Sequence, residues 1–521
     1  MRFFNTTGPC YPEKHYMLPP KDRLVGAQLD RYIRDELYWV LHAPRQTGKT
    51  TFLQSWMREI NSSRQALSCY VSVENCQGVK DPKDSMPAIC ESIKMFASNF
   101  DVPVPNYDRA MSPNSQLNAI LSDWAKIVAP KSLIVLFDEV DTLIEDTLIS
   151  FLRQLRGGFA VKGAGKFPIS IALVGMRDLK DYIKTAKDGI APNPGSPFNI
   201  KADSVFMANF TKEDIGKLFW QRAEETGQKI TEEALNYVYE QTAGQPWLVN
   251  SLFARATMRI LDENSKETVT IEHIRTAREQ MILARETHLD ALAVRLKEGK
   301  IYQIIGSLMT GEADPFLTQS DDFRYCLDLG LVSMKEGMPT VSNPIYRETL
   351  ARELTFGMQP AISAPQWKWQ KDNGSLDMDA LLKEFQKFWR QNADIWEERR
   401  KEKFKYTEAF PHLLLQAFLQ RVLNGGGYID REYAAGRGRM DLAVRFKGYT
   451  YIIEIKLIYD YSNPQIVAEE GLEQIKEYRD TVDAAAPSYL VIFDRRSSDK
   501  KKSWDERLTW RQKDGIVIVG C

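Results

Sequence analysis

Asp441, Glu454 and Lys456 stand in the pattern Asp-x12-Glu-x-Lys, the last two inside an otherwise apolar run, Ile452-Ile453-Glu454-Ile455-Lys456-Leu457. Alternate side chains of a strand share a face, so Glu454 and Lys456 would point one way while Ile453 and Ile455 enter a core. A hairpin turning at Lys447-Gly448 would bring Asp441, near the start of its first strand, beside the end of the second. Two converging carboxylates make an oxygen-rich corner that suits a hard cation, Mg²⁺ with Mn²⁺ as a substitute. Such a metal lowers the pKa of a bound water and neutralises phosphodiester charge, while a lysine positions the nucleophile or stabilises pentavalent phosphorus. Arg437 and Arg439, just before Asp441, are then natural phosphate clamps. The bland alternative is an edge strand kept soluble by two charges.

A second cluster lies far upstream. "APRQTGKT", Ala43 to Thr50, has the spacing G-x-x-x-x-G-K-[ST] with alanine at the first glycine. Pro44, Arg45, Gln46, Thr47 and Gly48 would form a turn whose backbone N–H groups face phosphate, with Thr51 continuing the helix that follows. Lys49 would reach the β- and γ-phosphates of ATP, and Thr50 would place its hydroxyl on Mg²⁺. Ala43 costs little if its φ is negative. About ninety residues later, "SLIVLFDEVD" is an apolar strand delivering Asp138 and Glu139 at its C-terminal end, where open α/β sheets bind ligands. Asp138 would hold Mg²⁺ through water, and Glu139 would act as general base.

The elements that must position these residues alternate up to about residue 200, strand with amphipathic helix, which implies parallel strands in an α/β sheet. From about 208 to 290 the pattern is helical, with Thr231 marking a helix start. Residues 300–355 read helix, helix, strand, Gly337 turn, strand, helix, an order that resembles a winged helix; a purely structural cap is the other reading. "GMQPAISAPQWKWQKDNGSLDMD" reads as a linker. Two helices, three strands, a helix and a strand follow. The expected segments are 1–207, 208–290, 291–356, a linker at 357–379, and 380–521.

The N-terminal 350 residues, through "FNTTGPCYPEKHYMLPP" leading into "VLHAPRQTGKTT", resemble bacterial AAA-like ATPases related to the STAND and origin-recognition group. The resemblance implies ATP hydrolysis in an oligomer, a sensor arginine at Arg177 in "ALVGMRD", and a lid motif in "GQPWLVN" with Pro246 near the nucleotide base. Arg153 and Arg156 are alternative fingers toward a neighbouring subunit's γ-phosphate; surface arginines are the simpler reading. The C-terminal pattern resembles the PD-(D/E)XK nuclease superfamily, with Met440 where a proline commonly stands. By that resemblance Glu408 adds an acidic metal ligand, and Gln474 and Tyr478 match the Q-x-x-x-Y element of the branch similar to the RecB nuclease domain. The expected architecture is therefore α/β and multidomain. It joins a P-loop ATPase core with a helical lid and winged-helix-like domain to a PD-(D/E)XK nuclease-like α/β domain.

Composition fits a globular protein: formal net charge −1, 43% hydrophobic and 27% charged over 521 residues. Six cysteines show no metal-ligand spacing, and no run suits a signal or a membrane span, so a cytoplasmic, membrane-free protein is expected. The basic runs "EERRKEKFK" and "DRRSSDKKK" fit solvated surface or a nucleic-acid partner. The combined expectation is an ATP-gated, Mg²⁺-dependent nuclease acting on DNA, in bacterial antiviral defence or DNA processing. The rivals are a non-cleaving ATP-switched DNA-binding or signalling protein and a recombination-associated ATPase; intact metal ligands favour cleavage.

Overall fold

The computed structural model describes residues 1–63, 66–162, 165–177, 201–284, 286–296, 298–309, 317–356, 369–399, 410–423, 427–435, 438–496 and 503–521. The backbone divides into two compact units, Met1–Ala277 with Leu327–Gly330, and Arg278–Cys326 with Leu331–Cys521.

The first unit is built on six strands, β1 (Leu24–Val25), β2 (Tyr38–His42), β3 (Ala66–Ser72), β4 (Ser132–Asp138), β5 (Ser170–Gly175) and β6 (Lys201–Met207). Their order is β1-β6-β2-β5-β4-β3, parallel except at the β1 edge. β4 is buried along its whole length after Ser132, because helices cover both faces of the sheet. Helix Lys49–Ser63 packs Phe52, Leu53 and Trp56 on one face, and helices Pro82–Asn99, Pro113–Val128 and Glu145–Phe159 pack Ile93, Trp124 and Phe151 on the other. β5 lies between β2 and β4, so the phosphate-loop strand and the Asp138 strand open their C-terminal ends on a shared crevice.

The helical stretch begins where its caps require. Thr211 and Asp214 form a capping box before Lys212–Thr226, Thr231 caps Glu232–Thr242 as the sequence predicts, and Gln245 caps Pro246–Ala254. Gly244 has φ +71° and its missing Cβ would sit 1.8 Å from the Phe210 carbonyl oxygen, so no side chain fits there.

The second unit contains helices Thr287–Arg295 and Gly299–Met309, the hairpin β7 (Val332–Lys335) and β8 (Met338–Val341), and helix Pro344–Phe356. Glu336 and Gly337 both take positive φ, the turn that suits a two-residue hairpin. Its larger sheet comprises β9 (Gly427–Ala435), β10 (Gly438–Phe446), β11 (Tyr449–Ile458), β12 (Ser488–Asp494), β13 (Trp510–Lys513) and β14 (Ile516–Gly520), in the order β13-β14-β12-β11-β10-β9. β9, β10 and β11 form an antiparallel meander, and helix Pro464–Val482 crosses over to make β12 parallel to β11. Ile453 and Ile455 enter the core under helices Met378–Arg399 and Phe410–Leu423, as the alternation requires. Ile452 packs on the opposite face with Leu472, Ile475 and Tyr478 of the crossover helix, which is therefore the face that Glu454 and Lys456 share. The last hairpin, turning at Asp514-Gly515, was not anticipated, although Asp-Gly between apolar runs is a hairpin signal.

Candidate functional site

In the first unit the chain leaves β2 into a loop whose conformation is closely specified. Gln46 and Gly48 have φ of 57° and 99°, whereas Ala43 is absent from the positive-φ residues, which is why alanine is tolerated there. Lys49 Nζ donates to the carbonyls of Ala43 (2.8 Å) and Pro44 (3.0 Å), and Thr47 Oγ1 to Pro44 O (2.9 Å). Arg23 Nη2 donates to Thr47 O (2.5 Å), and a Cβ at Gly48 would lie 2.8 Å from that nitrogen. Gly48→Ala combines this clash with a left-handed φ, so the variant is expected to lose nucleotide binding by at least about 10-fold. Titration with a fluorescent ATP analogue checks it; wild-type affinity in the variant contradicts the loop geometry.

Asp138 is fully buried at the end of β4, where one carboxylate oxygen accepts from Thr50 Oγ1 (2.7 Å) and Tyr70 OH (3.2 Å). Glu139 follows in a left-handed turn with φ 59°. Burial, then Asp138 and Asp141, push its carboxyl up to about 7, a proton acceptor matched to neutral pH. Burial pulls Lys49 down, opposed by Asp138, Glu139 and Asp141. Three carboxylates around one lysine leave an excess of negative charge that a hard cation would neutralise, and Thr50 with Asp138 is the hydroxyl-carboxylate pair suited to hold it.

A cavity of about 380 Å³ opens beside this cluster, lined by Arg45, Gln46, Thr47, Gly48, Lys49, Thr50, Thr51, Glu139 and Pro246 together with the N-terminal segment from Asn5. That size suits a nucleotide. Pro44 is not in that lining; its carbonyl oxygen accepts from Thr47 Oγ1 and Lys49 Nζ. Arg177 is not in its lining; its Nε donates to Asp328 Oδ2 at 2.9 Å. Arg153 and Arg156 are exposed on helix Glu145–Phe159. Sequence reading missed the roles of Arg23, Tyr70 and Asp141 and the lining role of Asn5, Thr6, Gly8, Pro9 and Cys10, although Asp141 ends "SLIVLFDEVD" and the segment lies in "FNTTGPCYPEKHYMLPP". Trp247 Nε1 donates to Thr6 O (2.8 Å) and so ties that segment to helix Pro246–Ala254.

In the second unit the ladder registers Leu442 with Ile453, which sets Asp441 opposite Glu454, further along the hairpin than the strand ends expected. Asp441 bonds across the hairpin through its side chain. Its Oδ2 accepts from Ile455 N–H (2.8 Å), while Asp441 N–H donates to Glu454 Oε2 (3.4 Å). The two carboxylates thus face one another. Lys456 Nζ donates to Glu454 Oε1 (3.0 Å). Glu454 is 2% exposed; burial and then Asp441 push it up to about 7, against the pull of Lys456. A carboxylate held so uncomfortably beside a second one fits an oxygen-ligated divalent cation. Among the described residues no group of three or more His, Cys, Asp or Glu side chains is placed to hold a metal ion.

Tyr478 is buried, and burial with Glu454 and Asp441 pushes its phenol up, which places it in the field of the site. Gln474, one turn earlier on the same helix face, has a buried Oε1 without a donor. The helix lies close over Lys456: a Cβ at Gly471 would meet Lys456 Cγ at 3.2 Å. Glu408 and Arg437 lie outside the described residues, and so does the side chain of Arg439.

Without metal, Glu454 and Glu139 hold protons more tightly folded than unfolded, so the unfolded chain ionises first as pH rises. Stability should fall from about 4.5 to about 7 and level off above. Glu454→Gln should flatten part of that slope in thermal unfolding under chelator; an unchanged slope contradicts the buried-carboxylate geometry.

Residues 406–493 match the family model of the PD-(D/E)XK nuclease superfamily. No curated protein matches the chain. Among solved structures it is similar to the Walker-type ATPase paby2304 of Pyrococcus abyssi, at 14% identity over 67% of this chain and 99% of that one, TM-score 0.49. It is also similar to Cdc6p from Pyrobaculum aerophilum, at 15% identity over 63% and 91%, TM-score 0.35. The RuvB Holliday junction branch migration motor of Thermotoga maritima matches at 13% identity over 60% and 87%, TM-score 0.33. No described helix is long and apolar enough to cross a membrane. The phosphate loop, the Asp138-Glu139 strand and the sheet that joins them form a P-loop ATPase fold, and residues 406–493 are a PD-(D/E)XK nuclease superfamily domain.

Proposed function

We propose that the chain binds and hydrolyses ATP in its first unit and that its nucleotide state gates a Mg²⁺-dependent phosphodiesterase in its second, acting on DNA. The observation that carries the nuclease half is the meeting of Asp441, Glu454 and Lys456 on one hairpin, with Glu454 bonded to Lys456 at 3.0 Å. A bound divalent cation would supply charge neutralisation and an activated water there, held by Asp441 and Glu454, with Glu408 as a further candidate ligand. Lys456 keeps its ammonium on the Glu454 carboxylate and at the reacting phosphate, where it orients the nucleophile and offsets developing negative charge. Gln474 and Tyr478 hold the covering helix in place and present polar atoms toward the corner.

In the first unit Lys49 and the loop amides would bind the β- and γ-phosphates, Thr50 and Asp138 the cation, and Glu139 would take the proton of the attacking water. Pro246 and the N-terminal segment would border the base. Arg153, Arg156 and Arg177 are the candidates for charge supplied at the γ-phosphate; Arg153 and Arg156, being exposed, would serve a neighbouring copy in a homo-oligomer. The assigned pieces are an ATPase core at 1–207, a helical lid at 208–290, a winged-helix-like piece at 291–356, a linker at 357–379 and the nuclease piece at 380–521. Cytoplasmic action in bacterial defence or DNA processing is the setting this combination suits.

Supercoiled plasmid incubated with Mg²⁺ tests the nuclease half. Wild type should nick or linearise it, Mn²⁺ should substitute, chelator should stop it, and Asp441→Asn should remove the activity. Equal cleavage by Asp441→Asn and wild type would overturn the assignment.

A further inference from the structure

We propose that Tyr459 and Tyr461 form a stacking platform for an unpaired base of the strand whose phosphate lies at Asp441, Glu454 and Lys456. The inference rests on the nuclease reading above and gives it a substrate class, nucleic acid with single-stranded character. β11, which carries Glu454 and Lys456, ends at Ile458, and the turn that follows places the two tyrosines at once. Their rings are stacked with centroids 5.4 Å apart and planes 12° from parallel. Tyr461 is 86% exposed, so the pair presents a flat aromatic face to solvent.

The turn is held at both ends. Tyr459 N–H donates to Ser462 Oγ (3.1 Å), and Ser462 N–H to Tyr459 O (2.9 Å). Arg495 N–H donates to Ile458 O (2.8 Å), tying the exit of β11 to the end of β12. Asn463 accepts from Gln465 N–H (3.0 Å) and starts the crossover helix that covers Lys456. A ring this exposed adds little apolar burial to the core, so its contribution to folding is confined to the ring pair itself. The platform is therefore anchored to the site by the strand and by the helix while Tyr461 stays exposed.

Chemistry selects the occupant. Around the turn, Asp460 and Asp494 offset Arg495 and Arg496, and Arg496 Nη2 is bonded to Asp494 Oδ2 at 2.6 Å. A base face is what the platform itself offers to hold. A duplex keeps its base faces stacked on one another, which leaves an unpaired strand or a frayed end as the ligand.

The test uses the full chain under chelator, with fluorescence anisotropy of a labelled single-stranded oligonucleotide and of the same sequence as a blunt duplex. Tyr461→Ala should weaken the single strand on the order of 10-fold and leave the duplex unchanged, and Tyr461→Trp should retain binding. No loss in Tyr461→Ala, or equal loss for both ligands, would overturn the platform. If wild type binds through Tyr461 but cleaves nothing, the nuclease reading falls and the platform stands.

Discussion

Lys456→Ala is expected to lower Mg²⁺-dependent DNA cleavage on the order of 10²- to 10³-fold, the range seen when one preorganised stabilising donor is removed from a reacting centre. The effect should be large because the ammonium does two things at once. It bonds Glu454 Oε1 at 3.0 Å, and it sets a cation against one of the two facing carboxylates. Losing it leaves Glu454 buried without its cationic partner and raises that carboxyl further, which also weakens metal binding at neutral pH. Folding and catalysis are separable by thermal unfolding: Lys456→Ala should melt within a few degrees of wild type, since Lys456 is only partly buried. Lys456→Arg should recover charge but not geometry, because a planar fork does not replace a compact point charge. Cleavage by Lys456→Ala at the wild-type rate would contradict the site.

Lys49→Ala is the second large effect. Lys49 Nζ bridges the carbonyls of Ala43 and Pro44, and the side chain is buried with Asp138, Glu139 and Asp141 in its field. Its removal takes away the cation that would meet the phosphates and leaves two loop carbonyls without that donor, a cost of about 1–3 kcal/mol where such groups stay buried. ATP hydrolysis should fall by at least about 10³-fold, in line with the loss of a charge that neutralises the transferring phosphoryl group. Glu139→Gln should differ in kind: it keeps the loop and its lysine, so ATP binding persists while turnover stops. Phosphate-release and nucleotide-binding measurements on the two variants distinguish them. Hydrolysis by Lys49→Ala near the wild-type rate would contradict the nucleotide site.

What sequence could and could not show follows from how locally each residue is constrained. The phosphate loop is legible because one strand, one turn and one helix must be contiguous, and Ala43 reads correctly because only the backbone angle matters there. Glu454 and Lys456 are legible as charges out of place in an apolar strand, and the alternation that puts Ile453 and Ile455 in the core holds in the sheet. The register is not local. Asp441 faces Glu454 because the hairpin pairs Leu442 with Ile453, and its carboxylate takes a ladder position that strand reasoning alone assigns to backbone. Arg23 and Tyr70 reach the nucleotide site across 24 and 68 residues of sequence, so only the folded chain brings them there. Arg177 stands at a motif position, and only the folded chain sets its Nε on Asp328, 151 residues away.

The central claim is that Lys49 decides when Glu454 and Lys456 act, and one measurement addresses it most directly: the rate of plasmid cleavage in Mg²⁺ by wild type and by Lys49→Ala, each with and without ATP. The account predicts that ATP changes the wild-type rate several-fold and leaves the Lys49→Ala rate unaltered, with Lys456→Ala inactive throughout. A wild-type rate indifferent to ATP, or the same ATP response in Lys49→Ala, would contradict it.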